Sequence, residues 1–284
     1  MFVAVLPWGI RGAALATVIA QYVSGIGITL YVLLKCRDLL PSREDLQFNR
    51  QILGEIGNLS SMTCVQQSGM NFGILMVQGL VNSFGPVVMA AFAAAVKIDT
   101  FAYLPVQDFG NAYSTFIAQN YGAGRNDRIR SGYKAGLVIS AIVAVPFILC
   151  FFCMPKTMIN LFLDDGGTKA VEIGTTFLRI ISPFYVFVGI KIMSDGALRG
   201  KGAMQYFMIS TFTDLILRVV LAFVLARPYG STGIWLSWPI GWLVSTVLSV
   251  VFARVKVMKN ELNEEWQSQP NKSQVISKIK SRAQ

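Results

Sequence analysis

The amino-acid sequence predicts an all-α polytopic membrane protein, a bundle of seven transmembrane helices. Of its 284 residues, 54% are hydrophobic and only 14% are charged, whereas about a quarter of the residues in an average soluble domain are charged. The apolar residues form long continuous runs and lack the alternation of a membrane barrel strand. Because a helix satisfies its own backbone hydrogen bonds in lipid, such runs predict helices.

Seven runs have about the 20 residues that a helix needs to cross the hydrocarbon layer. They are Gly12–Leu34, Leu59–Ser83, Val87–Ala118, Gly136–Met154, Ile173–Leu198, Ala203–Ala226 and Thr232–Ala253. A shorter apolar stretch, Thr157–Leu163, is expected to lie at the membrane interface and to end in the polar turn Asp164–Gly167. Phe84, Gly85 and Pro86 predict a tight turn between the second and third helices.

The distribution of Lys and Arg predicts the orientation of these helices. Basic residues cluster after the first, third, fifth and seventh runs and are sparse on the opposite side. Since cytoplasmic loops are enriched in Lys and Arg, the sequence predicts a multi-pass protein of the plasma or bacterial inner membrane with a cytoplasmic C-terminus. We attribute the net charge of +10 to this topology and expect the lipid bilayer, and no nucleic acid, as a partner.

An internal repeat relates the first run to the last. Pro7–Gly12 aligns with Pro228–Gly233, and identities continue to Lys35 and Lys256. Both copies end at a basic segment, so the duplication is parallel. We therefore expect a last helix of an incomplete first lobe (1–34), a cytoplasmic linker between the lobes (35–58), a complete six-helix second lobe (59–256) and a cytoplasmic polar tail (257–284). On this interpretation the chain is a fragment, and its partners include the missing first-lobe helices.

The composition argues against an enzyme. The chain contains no histidine, the commonest general base and metal ligand. It also contains no phosphate-binding loop, metal-ligand spacing or nucleophile cluster. We therefore expect no cofactor and no metal site, and transport would have to draw on an ion gradient.

Polar side chains on the second run are the first candidate binding residues. Gln67, Asn71, Gln78 and Asn82 follow steps of four and seven residues and therefore share one helical face. Such a stripe either joins helices through amide hydrogen bonds or lines a translocation route.

Charged side chains on the third run are the second group of candidates, because a charge at the bilayer centre costs about 2.5 to 3.5 kcal/mol on insertion scales. Lys97, Asp108 and Asn111 share a face, whereas Asp99 lies about 160° around the helix from Lys97. Lys97 and Asp108 could equally meet a substrate or ion in a cavity or belong to a structural network. For Asp99 the structural interpretation is favoured.

Two pairs of opposite charge are spaced one helical turn apart. Asp214 and Arg218 are predicted to form a self-neutralising structural pair. Asp195 is predicted to meet Lys191 in the same way, and Asp195 is also a candidate residue of the substrate or ion cavity.

Three stretches carry a family resemblance: Val88–Ile98, Ile117–Gly124 with its Gly-Ala-Gly loop, and Gly196–Gly202 with its Leu-Arg-Gly-Lys-Gly loop. With these the chain resembles the multidrug and toxic compound extrusion (MATE) family, from residue 1 to about residue 256. The resemblance implies two six-helix lobes and secondary active efflux of cationic or amphipathic organic compounds. It also implies antiport with protons or sodium by alternating access.

The resemblance further implies coupling carboxylates, and here the chain departs from the family. Many members use a carboxylate in the first lobe, which would lie outside this chain. Some also use a glutamate on the helix matching Leu59–Ser83, where this chain has Met70 or Asn71, and an aspartate near the place of Val188. The acid of that second helix is Asp195, so the coupling ion stays open.

Other functions make different demands on the sequence. A lipid-linked saccharide flippase could share the two-lobe architecture, but its cavity would need more basic groups than Lys97 to hold a pyrophosphate. An inactive truncated product is a further alternative. A membrane enzyme would need a catalytic cluster, and a scaffold would not need so many polar groups within its helices.

Overall fold

The part of the chain that the computed structural model describes, residues 9–35, 50–163 and 167–258, is helical apart from short turns between the helices. The helices are α1 (Gly9–Lys35), α2 (Arg50–Asn82), α3 (Pro86–Gly122), α4 (Asn126–Cys153), α5 (Pro155–Asn160), α6 (Gly167–Ile181), α7 (Tyr185–Gly200), α8 (Met204–Tyr229) and α9 (Ser231–Ala253). A 3-10 turn, Ser182–Phe184, separates α6 from α7, and a π-helical turn, Arg254–Met258, follows α9. The predicted all-α fold class is confirmed.

Six helical segments of the described chain are long and apolar enough to cross a membrane. They are Ala14–Lys35, Pro86–Gly122, Asn126–Cys153, Gly167–Gly200, Met204–Tyr229 and Ser231–Val257. The seven predicted runs correspond to these six segments and to α2. With 33 residues, α2 is long enough to span, but its amide, hydroxyl and glycine residues make it less apolar than the others.

Some helix boundaries differ from the sequence prediction. α4 begins at Asn126, well before the predicted Gly136, because the basic segment Arg128–Lys134 continues the helix beyond its apolar part. α2 begins at Arg50, inside the segment expected as a linker. The turn before Pro86 is present, with Gly85 at a φ of 91° that glycine adopts without strain.

Several expectations fall on residues outside the described part of the chain. These are residues 1–8, the linker residues 36–49, residues 164–166 of the expected polar turn, and the tail from residue 259. The short interfacial stretch before that turn is described, and it contains α5.

The chain divides into two compact units, residues 1–57 and 58–284. In the first unit, α1 is apolar along its length and exposes most of its large side chains. Val23, for example, is 66% exposed and Leu34 is 69% exposed. A helix that is apolar all round is typical of a membrane span.

In the second unit α7 is the central helix, packed against α3, α4, α8 and α9. Glycines allow α3 and α7 to approach each other closely. A Cβ atom added at Gly196 of α7 would lie 2.8 Å from the carbonyl oxygen of Gly110 on α3. Small residues at a helix crossing are how membrane helices gain van der Waals contact without a hydrophobic driving force.

Aromatic rings join α3, α6 and α9 on one side of this unit. The ring of Phe92 stacks on Trp235 with centroids 5.2 Å apart, and Phe177 meets Trp235 edge-on at 5.1 Å. Trp238 and Trp242 continue the row along α9, 5.8 Å apart. These rings hold α9 beside the helices that carry the buried polar residues described below.

Candidate functional site

The predicted polar residues of the second unit fall into an exposed group and a buried group. Gln67, Asn71, Lys97, Asp108 and Asn111 are exposed on α2 and α3. Asp195 and Asp214, by contrast, are buried, with 5% and 3% of their surface exposed. The two groups therefore differ in what they can contact.

The exposed face of α2 carries a shallow polar groove. Its walls include Gln67 and Asn71 together with smaller polar and apolar residues, namely Leu59, Ser60, Thr63, Cys64 and Ser68. Further along α2, the amide of Gln78 donates a 2.9 Å hydrogen bond to the Asn82 side chain. The predicted stripe therefore divides into an open part at Gln67 and Asn71 and a self-bonded part at Gln78.

The opposite face of α2 packs on α8. A Cβ atom at Gly69 would lie 2.6 Å from the ring of Phe212, so this glycine is in direct contact with α8. Val77 and Val81 are buried in the core on the same side. The polar groove thus lies on the face of α2 that points away from the core of the second unit.

On α3, Lys97 and Asp108 are exposed, and within the described residues neither side chain has a hydrogen-bonding or ion-pair partner. Asn111, one turn beyond Asp108, accepts a 3.1 Å hydrogen bond from the Arg199 guanidinium of α7. Asn111 therefore has a partner on α7, whereas the side chains of Lys97 and Asp108 have none among the described residues.

Asp195 lies inside the second unit at the centre of a polar network. Its Oδ2 atom is 2.7 Å from Lys191 Nζ, the contact expected from the one-turn spacing. Its Oδ1 atom accepts a 2.6 Å hydrogen bond from Ser249 of α9. Ser249 also contacts Ser210 of α8, so the network joins α7, α8 and α9. Asp195 was a cavity candidate, and the structure places it in this interior network.

Asp214 and Arg218 form the second buried ion pair. Arg218 Nη2 lies 2.7 Å from Asp214 Oδ2, as the spacing predicts, and the guanidinium stacks 4.8 Å from the ring centre of Trp238. Asp214 Oδ1, Arg218 Nε and Trp238 Nε1 are buried without a hydrogen-bond partner in the described structure.

Sequence reasoning missed the contact that Asp99 makes. Its side chain is 8% exposed, and the hydroxyl of Tyr185 donates a hydrogen bond to Asp99 Oδ1. The helical angle separated Asp99 from Lys97 correctly, since Lys97 is exposed. Nothing in the sequence signals the partner, which follows it by 86 residues on another helix.

The described residues contain no group of three or more His, Cys, Asp or Glu side chains that could hold a metal ion. What they offer is an amide groove, two exposed charges of opposite sign, and three buried carboxylates. Such groups can bind organic molecules or small ions reversibly.

A protein-family model described as MatE matches residues 61–224. Two curated relatives are named probable multidrug resistance proteins. "NorM" of Thermotoga maritima is 25% identical over 254 residues, which cover 86% of this chain and 53% of the relative. "YpnP" of Bacillus subtilis is 26% identical over 255 residues, covering 89% and 56%. The chain spans about half the length of the curated relatives it matches.

Solved structures show the same fold. An outward-facing multidrug resistance MATE family transporter of the MOP superfamily superposes with a TM-score of 0.80 at 21% identity, over 90% of this chain and 58% of that one. A MOP superfamily transporter from Pyrococcus furiosus, described as having a binding pocket of reverse polarity that suggests a different function, gives 0.78 at 20%, with the same coverage. The apolar spans and these relatives make the protein a multi-pass membrane protein. Since the family model covers more than half of the sequence, the chain belongs to the multidrug and toxic compound extrusion (MATE) family of transporters.

Proposed function

We propose that this chain provides the second lobe, and one further helix, of a secondary active exporter of small cationic or amphipathic organic compounds. Export would be coupled to the entry of protons or sodium ions and would proceed by alternating access of two lobes. The relatives named as multidrug resistance proteins support this class of substrate. The first lobe would be supplied by helices beyond the half of the relatives that the chain spans, as the internal repeat suggests.

The observation that carries the proposal is the pair of exposed, unpartnered charges on α3. Lys97 and Asp108 lie on a helix apolar enough to span the membrane, and no described side chain neutralises them. Facing lipid, each charge would cost several kcal/mol, so we assign both to a water-filled cavity. Asp108 would attract a cationic substrate there.

The amide groove of α2 would form another part of the substrate surface. Asn71 and Gln67 offer donors and acceptors, and the exposed side chains of Phe72 and Met76 supply apolar contact nearby. A mixed, adaptable surface of this kind suits compounds of varied shape. We assign Gln78 and Asn111, which already have partners, to positioning and not to direct binding.

The interior ion pairs would have a structural role in this scheme. Lys191 and Arg218 each hold a carboxylate of their own helix, so neither cation is free to bind an anionic substrate. This speaks against a lipid-linked saccharide flippase, which needs several basic groups around a pyrophosphate. The exposed charges are of mixed sign, a polarity that fits cations or zwitterions better than polyanions.

We place the C-terminus on the cytoplasmic side of the cell or bacterial inner membrane. The support is the clustering of basic residues at one set of helix ends, including Arg125–Arg130 after α3 and Arg199–Lys201 after α7. On this topology the groove of α2 and the charges of α3 lie within the bilayer.

The proposal can be tested by export of a fluorescent cationic dye. The chain would be joined to the part of the Thermotoga maritima relative that it does not span and expressed in cells that lack their own exporters. Dye accumulation is expected to fall, and Asp108→Asn is expected to abolish this effect. The control is Asp127→Asn, which changes an exposed acid in the first turn of α4 and should leave export intact.

Two results would contradict the proposal. Unchanged dye accumulation in cells that carry a folded, membrane-inserted fusion would rule out cationic efflux. Full export by Asp108→Asn would remove Asp108 from the substrate cavity and leave it a surface charge.

A further inference from the structure

Asp99 differs from the other buried carboxylates of the second unit, because it has no cationic partner within hydrogen-bonding distance among the described residues. Asp195 is paired with Lys191 and Asp214 with Arg218, each at 2.7 Å. The partner of Asp99 is the neutral phenol of Tyr185. We call the three carboxylates, Lys191 and Arg218 the buried cluster. When all five of these groups are charged, the cluster carries one more negative charge than positive charges.

An excess charge inside a membrane protein has to be neutralised or solvated. Asp99 is only 8% exposed, and its α3 neighbours Ala95, Ile98 and Ala102 are buried and apolar. A carboxylate in such a place either takes up a proton or holds a cation.

The surroundings of Asp99 favour a proton over a metal cation. A formal charge that acts on the carboxylate is that of Arg218, which is positive and would repel a second cation. Among the described residues, the oxygen atom that approaches it is the Tyr185 hydroxyl, which also lies 3.4 Å from the backbone carbonyl oxygen of Asp99. A sodium ion needs more oxygen ligands than these, whereas a proton needs only one.

Other titratable groups interact with this pair directly or through one neighbour. Tyr103 of α3 lies close enough to interact with Tyr185, and Lys191, Asp195 and Asp214 act in turn on Tyr103. Those three belong to the ion pairs with their own counter-charges. Within the cluster, Asp99 is thus the carboxyl group whose charge is not already balanced by a neighbour on its own helix.

Tyr185 is held rigidly, so its hydroxyl is a fixed donor. The side chain is 1% exposed, and its ring packs edge-on against Phe151 of α4 at 5.5 Å and against Trp242 of α9 at 6.0 Å. Tyr185 is also the first residue of α7, directly after the 3-10 turn Ser182–Phe184. The hydrogen bond therefore connects α3 to the point where the α6–α7 segment changes its helical form.

We propose that Asp99 and the Tyr185 hydroxyl form a proton-binding site in the second lobe, with the proton carried on Asp99 Oδ2. In the charged state the Tyr185 O–H group donates to Oδ1. In the neutral state the added proton resides on Oδ2, and Tyr185 keeps its own proton and its bond to Oδ1. The site rests on the proposed exporter function and refines it, because it assigns a proton, and not sodium, as an ion that the second lobe binds.

The change in the charge of Asp99 would be transmitted at the 3-10 turn Ser182–Phe184, between α6 and α7. A charged Asp99 holds Tyr185 through a charge-assisted hydrogen bond and attracts Arg218, whereas a neutral one holds both less strongly. Arg218 lies 6.0 Å from the ring of Trp242, the same ring that packs on Tyr185. Protonation would therefore loosen α3, α7, α8 and α9 at one common place.

Infrared difference spectroscopy of the purified 284-residue chain tests the site directly. The spectrum on acidification should gain a C=O stretching band of a protonated buried carboxyl group. Asp99→Asn should remove this band, and Asp99→Glu should retain one at a different frequency. Tyr185→Phe should raise the frequency, because the C=O group loses its hydrogen-bond donor. Asp127→Asn, a change of an exposed acid in the first turn of α4, should leave the band unchanged.

Several results would overturn the proton site. The first is a band that persists in Asp99→Asn when this variant has the helix content of the wild type. The second is an unaltered band frequency in Tyr185→Phe. The third is loss of the band when sodium replaces potassium in the buffer. Because the measurement requires no export, dye efflux can fail while the band titrates, and the band can be absent while efflux proceeds. The two proposals can therefore fail independently.

Discussion

Ser249 of α9 donates a 2.6 Å hydrogen bond to Asp195 of α7, in the middle of the second unit. Both side chains are buried, Ser249 completely and Asp195 to 5% exposure. The bond satisfies the carboxylate oxygen that Lys191 does not reach. The Ser249 hydroxyl thus completes the hydrogen bonding of the Asp195 carboxylate, and this bond connects α9 to the central helix α7.

The first prediction concerns this bond. Ser249→Ala should lower the free energy of unfolding by about 1 to 3 kcal/mol, because a buried charged acceptor loses its donor. Thermal unfolding of the purified chain in detergent, followed by tryptophan fluorescence, would measure the change. Ser237→Ala is the matched control, since Ser237 is equally buried on α9 but bonds only to the Ile234 carbonyl of its own helix. Equal effects of both substitutions would argue against a special role for Ser249.

The second prediction concerns the ion pair of Asp195. Lys191→Met should destabilise the protein by about 3 to 5 kcal/mol, because it leaves a buried charge without its counter-charge. The double substitution Lys191→Met with Asp195→Asn should recover a large part of this loss, since no net charge then remains at the site. The same unfolding measurement on both single variants and the double variant gives the coupling energy of the pair. Strictly additive effects would mean that the 2.7 Å contact contributes no stabilisation.

The contacts within single helices could be predicted from the sequence, whereas those between helices could not. Apolar run length predicted the helices, and one-turn spacing predicted both ion pairs, because each depends only on local geometry. Ser249 and Asp195 are 54 residues apart and Tyr185 and Asp99 are 86 apart. Which faces meet over such separations depends on packing of the whole unit, and that is not encoded in helical periodicity.

Helix ends were also difficult to predict, for a physical reason. An apolar run marks the part of a helix that lies in lipid, and the helix itself can extend beyond that part into water. α4 continues through Arg128 and Arg130, and α2 starts at Arg50, because charged residues are compatible with a helix in water. The exposed candidate residues on α2 and α3 could be selected from the sequence because polar side chains within apolar runs are uncommon. No comparable feature of the sequence indicates the hydrogen bond between Tyr185 and Asp99.

The third prediction tests the close approach of α3 and α7. Gly196→Ala should destabilise the protein by about 1 to 3 kcal/mol, because the new Cβ atom would meet the Gly110 carbonyl oxygen at 2.8 Å and rigid backbone would have to move. Gly79→Ala is the control on α2, where nothing lies within 4 Å of the added atom. There, alanine should stabilise by up to about 1 kcal/mol through its higher helix propensity. Opposite signs in thermal unfolding would support the packing argument, and a stabilising Gly196→Ala would contradict it.

The fourth prediction concerns Lys201, which lies between the spans that contain α7 and α8. The side chain is only 9% exposed, and this burial holds the pKa of its ammonium group below the ordinary lysine value of 10.5. Between the lowered value and 10.5 the unfolded chain binds more protons than the folded one, so the stability of the wild type should rise with pH in that window. Lys201→Met lacks this contribution.

The difference in unfolding free energy between Lys201→Met and the wild type should therefore shift in favour of the wild type as the pH rises toward 10.5. Unfolding curves at a series of pH values from neutral upward would measure it. Lys169→Met, a change of an exposed lysine at the start of α6, should differ from the wild type by less than about 0.5 kcal/mol throughout. A constant gap for Lys201→Met would mean that its ammonium group is as well solvated in the folded protein as in the unfolded chain.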